Sequence, residues 1–228
     1  MIPRAEMTTN ERTSRRHSRV LLAATLLLTL AGCSILSDKP KSTSTIYAPE
    51  PKVQADPAWP KVDWQLVIAP PIAARIVDSL RMAVRPTPGE LQVYRGAQWA
   101  RPPSDMLVDT VLRALEDSGR IQGVARQGAG VASDFKLLFE VRRFESDYAQ
   151  GAVPSATIEV SAKLLHVREQ KVAASKVFVQ ATPAASTGVA DVAQAFEQAL
   201  STVGHDIAGW TLVSGEAYRR TLPPPAKG

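Results

Sequence analysis

Most enzyme and metal sites are built from cysteine, histidine and grouped carboxylates, and this sequence carries them sparsely. Cys33 is its one cysteine, so neither an internal disulfide nor a CxxC metal or redox pair can form. Its thiol is left with nucleophilic chemistry at a single position. The histidines are His17, His166 and His205. His166 ends a predicted strand and His205 lies in a predicted helix, neither with a ligand at metal-binding spacing. Asp206 is adjacent to His205, but direct neighbours point to different sides of a helix, so both histidines read as structural. The sequence has no GxSxG elbow, HExxH pair, Walker loop or dinucleotide glycine fingerprint. Gly128-Ala129-Gly130 reads as a loop, and Arg142-Arg143 with Glu145 and Asp147 as a solvated strand edge. No catalytic residue, no cofactor-binding residue and no metal ligand is predicted.

What precedes Cys33 gives its thiol a context. Four arginines at 12, 15, 16 and 19 lead into Val20–Leu30, an apolar run without a charge. That is a signal-peptide pattern, too short for a comfortable membrane span of about 20 residues. The run ends in Leu30-Ala31-Gly32-Cys33, which resembles the lipobox of bacterial lipoproteins at all four positions. The resemblance implies that residues 1–32 are a signal peptide, cut off after the Cys33 thiol is alkylated with diacylglycerol. Cys33 is then the lipid-attachment residue, its new amine acylated by a palmitate-type chain. At about 0.8 kcal/mol per buried methylene, two or three acyl chains anchor a protein that spans nothing. Ser34 stands where an aspartate commonly means inner-membrane retention, so the resemblance implies the outer membrane. Arg15-Arg16 partly matches a twin-arginine signal, leaving both export routes open, and Met7 is an alternative start.

Losing the leader also changes the electrostatics. The whole chain has a net charge of +5, but five arginines against Glu6 and Glu11 put +3 of it in residues 1–32. A body at +2 does not call for nucleic acid as a partner.

The elements behind Cys33 divide into a tether and a domain. From Ser34 to Pro60 the chain carries Pro40, Pro49, Pro51, Pro57 and Pro60, which predicts an extended, unpacked tether over 33–60 reaching at most about 90 Å. A domain over 61–216 follows, then a disordered tail over 217–228. Trp64–Ala69 reads as a buried strand ended by Pro70-Pro71. Leu80–Arg85 reads as a half-buried strand with its arginines on one face, and Leu91–Tyr94 as a short one. Ser104 is a candidate N-cap for a helix burying Val108, Val111, Leu112 and Leu115 and stopping at Gly119. Residues 135–141, 157–164 and 176–180 alternate as strands, the last two joined by a hairpin at Arg168-Glu169-Gln170-Lys171. Val189 to Trp210 marks a second, longer helix, whose apolar stripe could cover the core or dock a partner. The predicted class is α+β: a mainly antiparallel sheet of about five to six strands covered by two amphipathic helices.

One stretch narrows the reading further. Leu91-Gln92-Val93-Tyr94-Arg95-Gly96-Ala97-Gln98-Trp99-Ala100-Arg101-Pro102-Pro103, followed by Leu107, Leu115 and Ser118-Gly119, resembles the ABC-type transport auxiliary lipoprotein family, as does the Ile46-Tyr47-Ala48-Pro49 patch. That resemblance implies a non-enzymatic component of a phospholipid transport system between membranes. Its partner would be the mammalian-cell-entry (MCE) subunit of an ABC transporter, met from the outer membrane's periplasmic face. A homo-oligomer stays open. Tyr94 and Trp99 read as core residues tying the loop to the sheet. Two other classes share the same anchor and tether: an outer-membrane assembly lipoprotein that plugs or chaperones a β-barrel, and a periplasmic hydrolase with an unrecognised site.

Overall fold

Sustained alternation of apolar and polar residues over 135–183 builds the longest strands of the molecule. The computed structural model describes residues 44–223. In chain order these form β1 (Thr45–Tyr47), β2 (Val62–Ile68), β3 (Ile72–Ala73), β4 (Arg81–Arg85), β5 (Gln92–Trp99), α1 (Pro103–Ser118), β6 (Ile121–Arg126), β7 (Phe135–Asp147), β8 (Ser155–His166), β9 (Lys171–Pro183) and α2 (Val189–Arg219).

The class is α+β, with two helices among the described residues, but the sheet is mixed and nine-stranded, not antiparallel with five or six strands. β7, β8 and β9 do form the expected antiparallel meander, paired over almost their whole lengths. Its hairpin turns at Val167–Gln170, where Gln170 takes the left-handed conformation at φ 52°. The other edge of β7 is shared by three short parallel partners in succession: β2 at 135–137, β3 at 140–141 and β4 at 146–147. β6 extends the sheet beyond β2, and β1 beyond β5, again in parallel. Strands β1, β3 and β6 escape a periodicity reading because they run for three, two and six residues, the last interrupted by Gly123.

The helices cover one face. Ile158, Val160, Ala162 and Leu164 of β8 are fully buried beneath α2, while Glu159 and Lys163 point the other way. At 31 residues α2 is about 46 Å long, matching the roughly 43 Å of the 13-residue strands below it. Three of its glycines are seats for bulky neighbours. A Cβ on Gly204, Gly209 or Gly215 would come within 2.5 Å of Thr110, Trp59 or Trp64, respectively. Trp99, Phe144 and Phe196 form the aromatic centre, with Phe196 stacked on Phe144 at 4.6 Å.

Several local expectations need correction. Residues from Ser44 to Pro60 are packed rather than free: β1 joins the sheet, Tyr47 and Val53 lie against the core, and Trp59 is buried. Proline excludes helix from such a stretch but does not prevent an extended strap studded with aromatic anchors. At the other end α2 continues through 217–219, with the Tyr218 ring against Phe135 and His166, so the helix outruns the expected domain end at 216. Ser104 is not the N-cap. α1 begins at Pro103, and the Asp78 carboxylate, on the β3–β4 loop, accepts both the Ser104 N–H (3.0 Å) and the Ser104 hydroxyl (2.8 Å). The cap comes from a residue distant in sequence, satisfying an orphan donor of the helix end. In β4, Ala83 is buried with Met82 and Val84, and Leu80 is exposed, so the expected strict alternation fails. Gly119, at φ 59°, closes α1 in the left-handed conformation as expected.

Candidate functional site

Cys33 lies outside the described residues, and the expected tail residues 224–228 do too. Within the described body, one cleft stands out, at the end of the sheet where β2 and β7 begin, β8 turns into β9, and α2 finishes. It has a volume of about 710 Å³ and is walled by Trp64 and Phe135 below, His166 and the Arg168-Glu169 turn on one side, and Arg219 with Leu222 on the other.

Each wall is fixed by a definite contact. The His166 ring is buried between Phe135 and Tyr218, and its Nδ1 accepts the Glu169 N–H at 3.2 Å. An accepting Nδ1 is unprotonated, so in the neutral ring the proton sits on Nε2. Asp134 accepts the Gln65 N–H at 2.9 Å, and Arg219 reaches Asp63 at 3.5 Å. Glu216, one turn back on α2, receives both Arg219 and Arg220. The Arg219 hydrogen bonds, with help from Arg220 and against the effect of burial, hold its carboxyl below the usual range. Trp64 is buried, and its Nε1 lacks a hydrogen-bond partner. The cleft is thus rigid, aromatic-floored and rimmed by charges of both signs. Of its carboxylates, Asp134 is bound to backbone and Asp63 lies beside Arg219, so the arrangement favours holding a polar-and-apolar surface over proton transfer.

A second cluster bridges β4 and β7 on the face turned away from α2. Glu145, 1% exposed, accepts two hydrogen bonds from Arg85 (2.7 and 3.0 Å) and one from Arg143 (2.8 Å), and Arg143 also reaches Asp147 at 2.5 Å. Burial works to raise the Asp147 pKa, but the Ala149 N–H and Arg143 outweigh it and the net shift is downward. On the helix-covered face the same pairing is pinned by Tyr94, whose hydroxyl meets Ser146 Oγ at 2.8 Å. Burial pushes this phenol up to about 12. Arg143, Glu145 and Asp147 are therefore an internal clamp and not the solvated edge that the sequence suggests. It holds β4 to β7 where only two residue pairs join them.

The remaining expected residues fall as follows. Trp99 is buried against Phe144 and Phe196, and Tyr94 is half-buried, both tying the 91–103 stretch to the core as expected. His205 sits on Trp59 at 5.0 Å, and its Nδ1 does contact Asp206 Oδ1 at 3.2 Å, contrary to the expectation that adjacency would part them. No group of three potential metal ligands occurs among the described residues. The cleft is not foreseeable from spacing: its walls come from four separated segments, and of its residues only His166 stands out in the sequence as a candidate.

A family model for the ABC-type transport auxiliary lipoprotein component matches residues 45–208. The chain belongs to this family. The matched range begins at the first residue of β1 and ends within α2, so membership of the ABC-type transport auxiliary lipoproteins is carried by the folded body, strap included. A protein of Xanthomonas campestris with a known crystal structure is 57% identical to this auxiliary lipoprotein. It superposes with a TM-score of 0.75, covering 78% of this chain and 99% of its own. An uncharacterized protein shares the fold at 14% identity and a TM-score of 0.57, over 73% of this chain and 97% of that one. No curated protein matches the sequence. The family is an auxiliary component of transport, which makes a transporter the partner class and a membrane-associated setting the natural one.

Proposed function

We propose that this auxiliary lipoprotein is anchored through acylated Cys33 to the periplasmic face of the outer membrane. There it serves, without catalysis of its own, as a docking component of an MCE-type ABC system for phospholipid transport. The observation that carries the reading is the family match over residues 45–208, most of the folded body, placed behind a lipobox-like Leu30-Ala31-Gly32-Cys33. The cleft beside His166 is consistent with a docking role, since its rim carries charges of both signs and its floor is aromatic. Anchoring is tested by mass spectrometry of the mature amino terminus and by Cys33→Ser, which should move the protein from the membrane to the soluble fraction. The partner is tested by immobilising the body from Ser44 onward and offering it a purified MCE subunit from the same organism. Capture is expected, and its absence sinks the partner claim while leaving the anchor intact.

A further inference from the structure

Strand direction gives the body two chemically unlike ends. β4, β7 and β9 all run toward one end, where three connections turn the chain: residues 86–91, 148–154 and 184–188. These loops total eighteen residues and contain one charged side chain, Glu90. Thr87, Pro88, Ala149, Gln150, Gly151, Ala152 and Val153 are exposed there, and Tyr148 is half-buried. The opposite end carries the cleft with its Asp63, Asp134, Arg168, Glu169 and Arg219, and beside the cleft Lys171 and Arg220.

The chain leaves the body toward the end that carries this single loop charge. β1 runs parallel to β5 and therefore antiparallel to β7, so from Thr45 backward to Ser44 the backbone heads for the 86–91 and 148–154 loops. It starts about 10 Å short of them, because Thr45 pairs with Ala97 near the Arg81 end of the five-residue β4. Ten residues, eleven Cα–Cα steps, then separate Cys33 from Ser44, a covalent reach of at most about 40 Å, no longer than the body itself. Presenting the charged end to a bilayer would take up roughly 33 Å of that reach and strip water from the ionic side chains gathered there. Presenting the other end needs only about the first 10 Å of that reach and dehydrates a single loop charge, Glu90.

We infer that the end formed by loops 86–91, 148–154 and 184–188 is the surface that rests against the lipid to which Cys33 is attached. The cleft then faces away, about 40 Å further out, where an incoming partner meets it. This orientation rests on the reading that Cys33 is acylated.

The experiment uses the full, exported and acylated chain, in which lipid occupies the Cys33 sulfur and an added cysteine is the sole free thiol. Ala152→Cys and Glu169→Cys proteins are labelled with an environment-sensitive fluorophore. They are then reconstituted into phosphatidylethanolamine–phosphatidylglycerol vesicles carrying nitroxide-labelled lipid. Quenching several-fold stronger at 152 than at 169 is expected. Flotation with the vesicles but equal or reversed quenching overturns the orientation and leaves the anchor standing. Failure to float removes the anchor, and the orientation with it.

Discussion

Strands β7, β8 and β9 carry their pairing instructions in adjacent sequence, through long alternation and short turns, whereas β1, β3 and β6 find partners far along the chain, and β4, besides its hairpin with β5, reaches distant β7. The first group is held by continuous ladders beneath α2. The second is held by side chains that reach across: the Arg85–Glu145–Arg143 clamp, the Asp78 cap, and the aromatic strap of residues 44–60. Short parallel pairing contributes few backbone bonds per strand, so this half depends on specific contacts that a single substitution can remove.

The sharpest test asks whether the halves unfold together. Phe196 of α2 touches Trp99 from one half and Phe144 from the other. Phe196→Ala should cost about 3–5 kcal/mol in denaturant unfolding and leave a single transition. Two separated transitions would mean that the halves are independent and that Phe196 does not couple them.

Next in size is the strap. A chain begun at Lys61 loses buried Trp59 and the packing of Tyr47 and Val53, for roughly 3 kcal/mol or more by area. A melting temperature unchanged from that of a chain begun at Ser44 would show the strap to be dispensable. Glu145→Gln then probes the clamp. Arg85 and Arg143 keep partial access to water, so the loss should stay near 2 kcal/mol, below that of a fully buried pair. Amide exchange should accelerate in β4 before β8 or β9.

This division also explains what was legible in the sequence. The meander, its hairpin, the apolar stripe of α2 and the glycine stop of α1 follow from neighbours within a few residues, and each reads directly. Strand β3, the strap and the β4–β7 clamp do not. Two residues have no period, proline-rich composition says nothing of where Trp59 will land, and Arg85 lies sixty positions from Glu145. The cleft is illegible for the same reason. Asp63, Asp134, His166 and Arg219 converge only because β2, β7, β8 and α2 share one end of the sheet. Cys33 is the opposite case, a motif complete in four consecutive residues that needs no fold to be recognised.

A smaller effect separates local from distant capping. Asp78→Ala removes the acceptor of both Ser104 hydrogen bonds, and α1 should lose about 1 kcal/mol. Because Ser104 is not itself the cap, Ser104→Ala should cost less, since the backbone N–H bond survives. If Ser104→Ala proved the more damaging by equilibrium unfolding, α1 would be capped from within its own sequence, and the distant-contact account of this half would lose an example.

The smallest expected effect is acid sensitivity at the cleft end. The Glu216 carboxyl lies below its usual range because Arg219 and Arg220 bond its ionised form. A lowered folded pKa means the native state binds fewer protons than the unfolded chain. The stabilisation is therefore complete above the ordinary carboxylate pKa near 4.3 and is lost as pH falls through the lower folded value. Both arginines are substantially exposed, so solvent screening keeps the contribution small. Asp147, also lowered but inside the clamp, loses its stabilisation over the same acid range. Comparing Glu216→Gln with Asp147→Asn between pH 3 and pH 7 apportions the acid limb between the halves. The Asp147 variant should flatten it more, because its arginine partner is the less exposed. Equal flattening would make the two ends electrostatically equivalent and erase this last distinction.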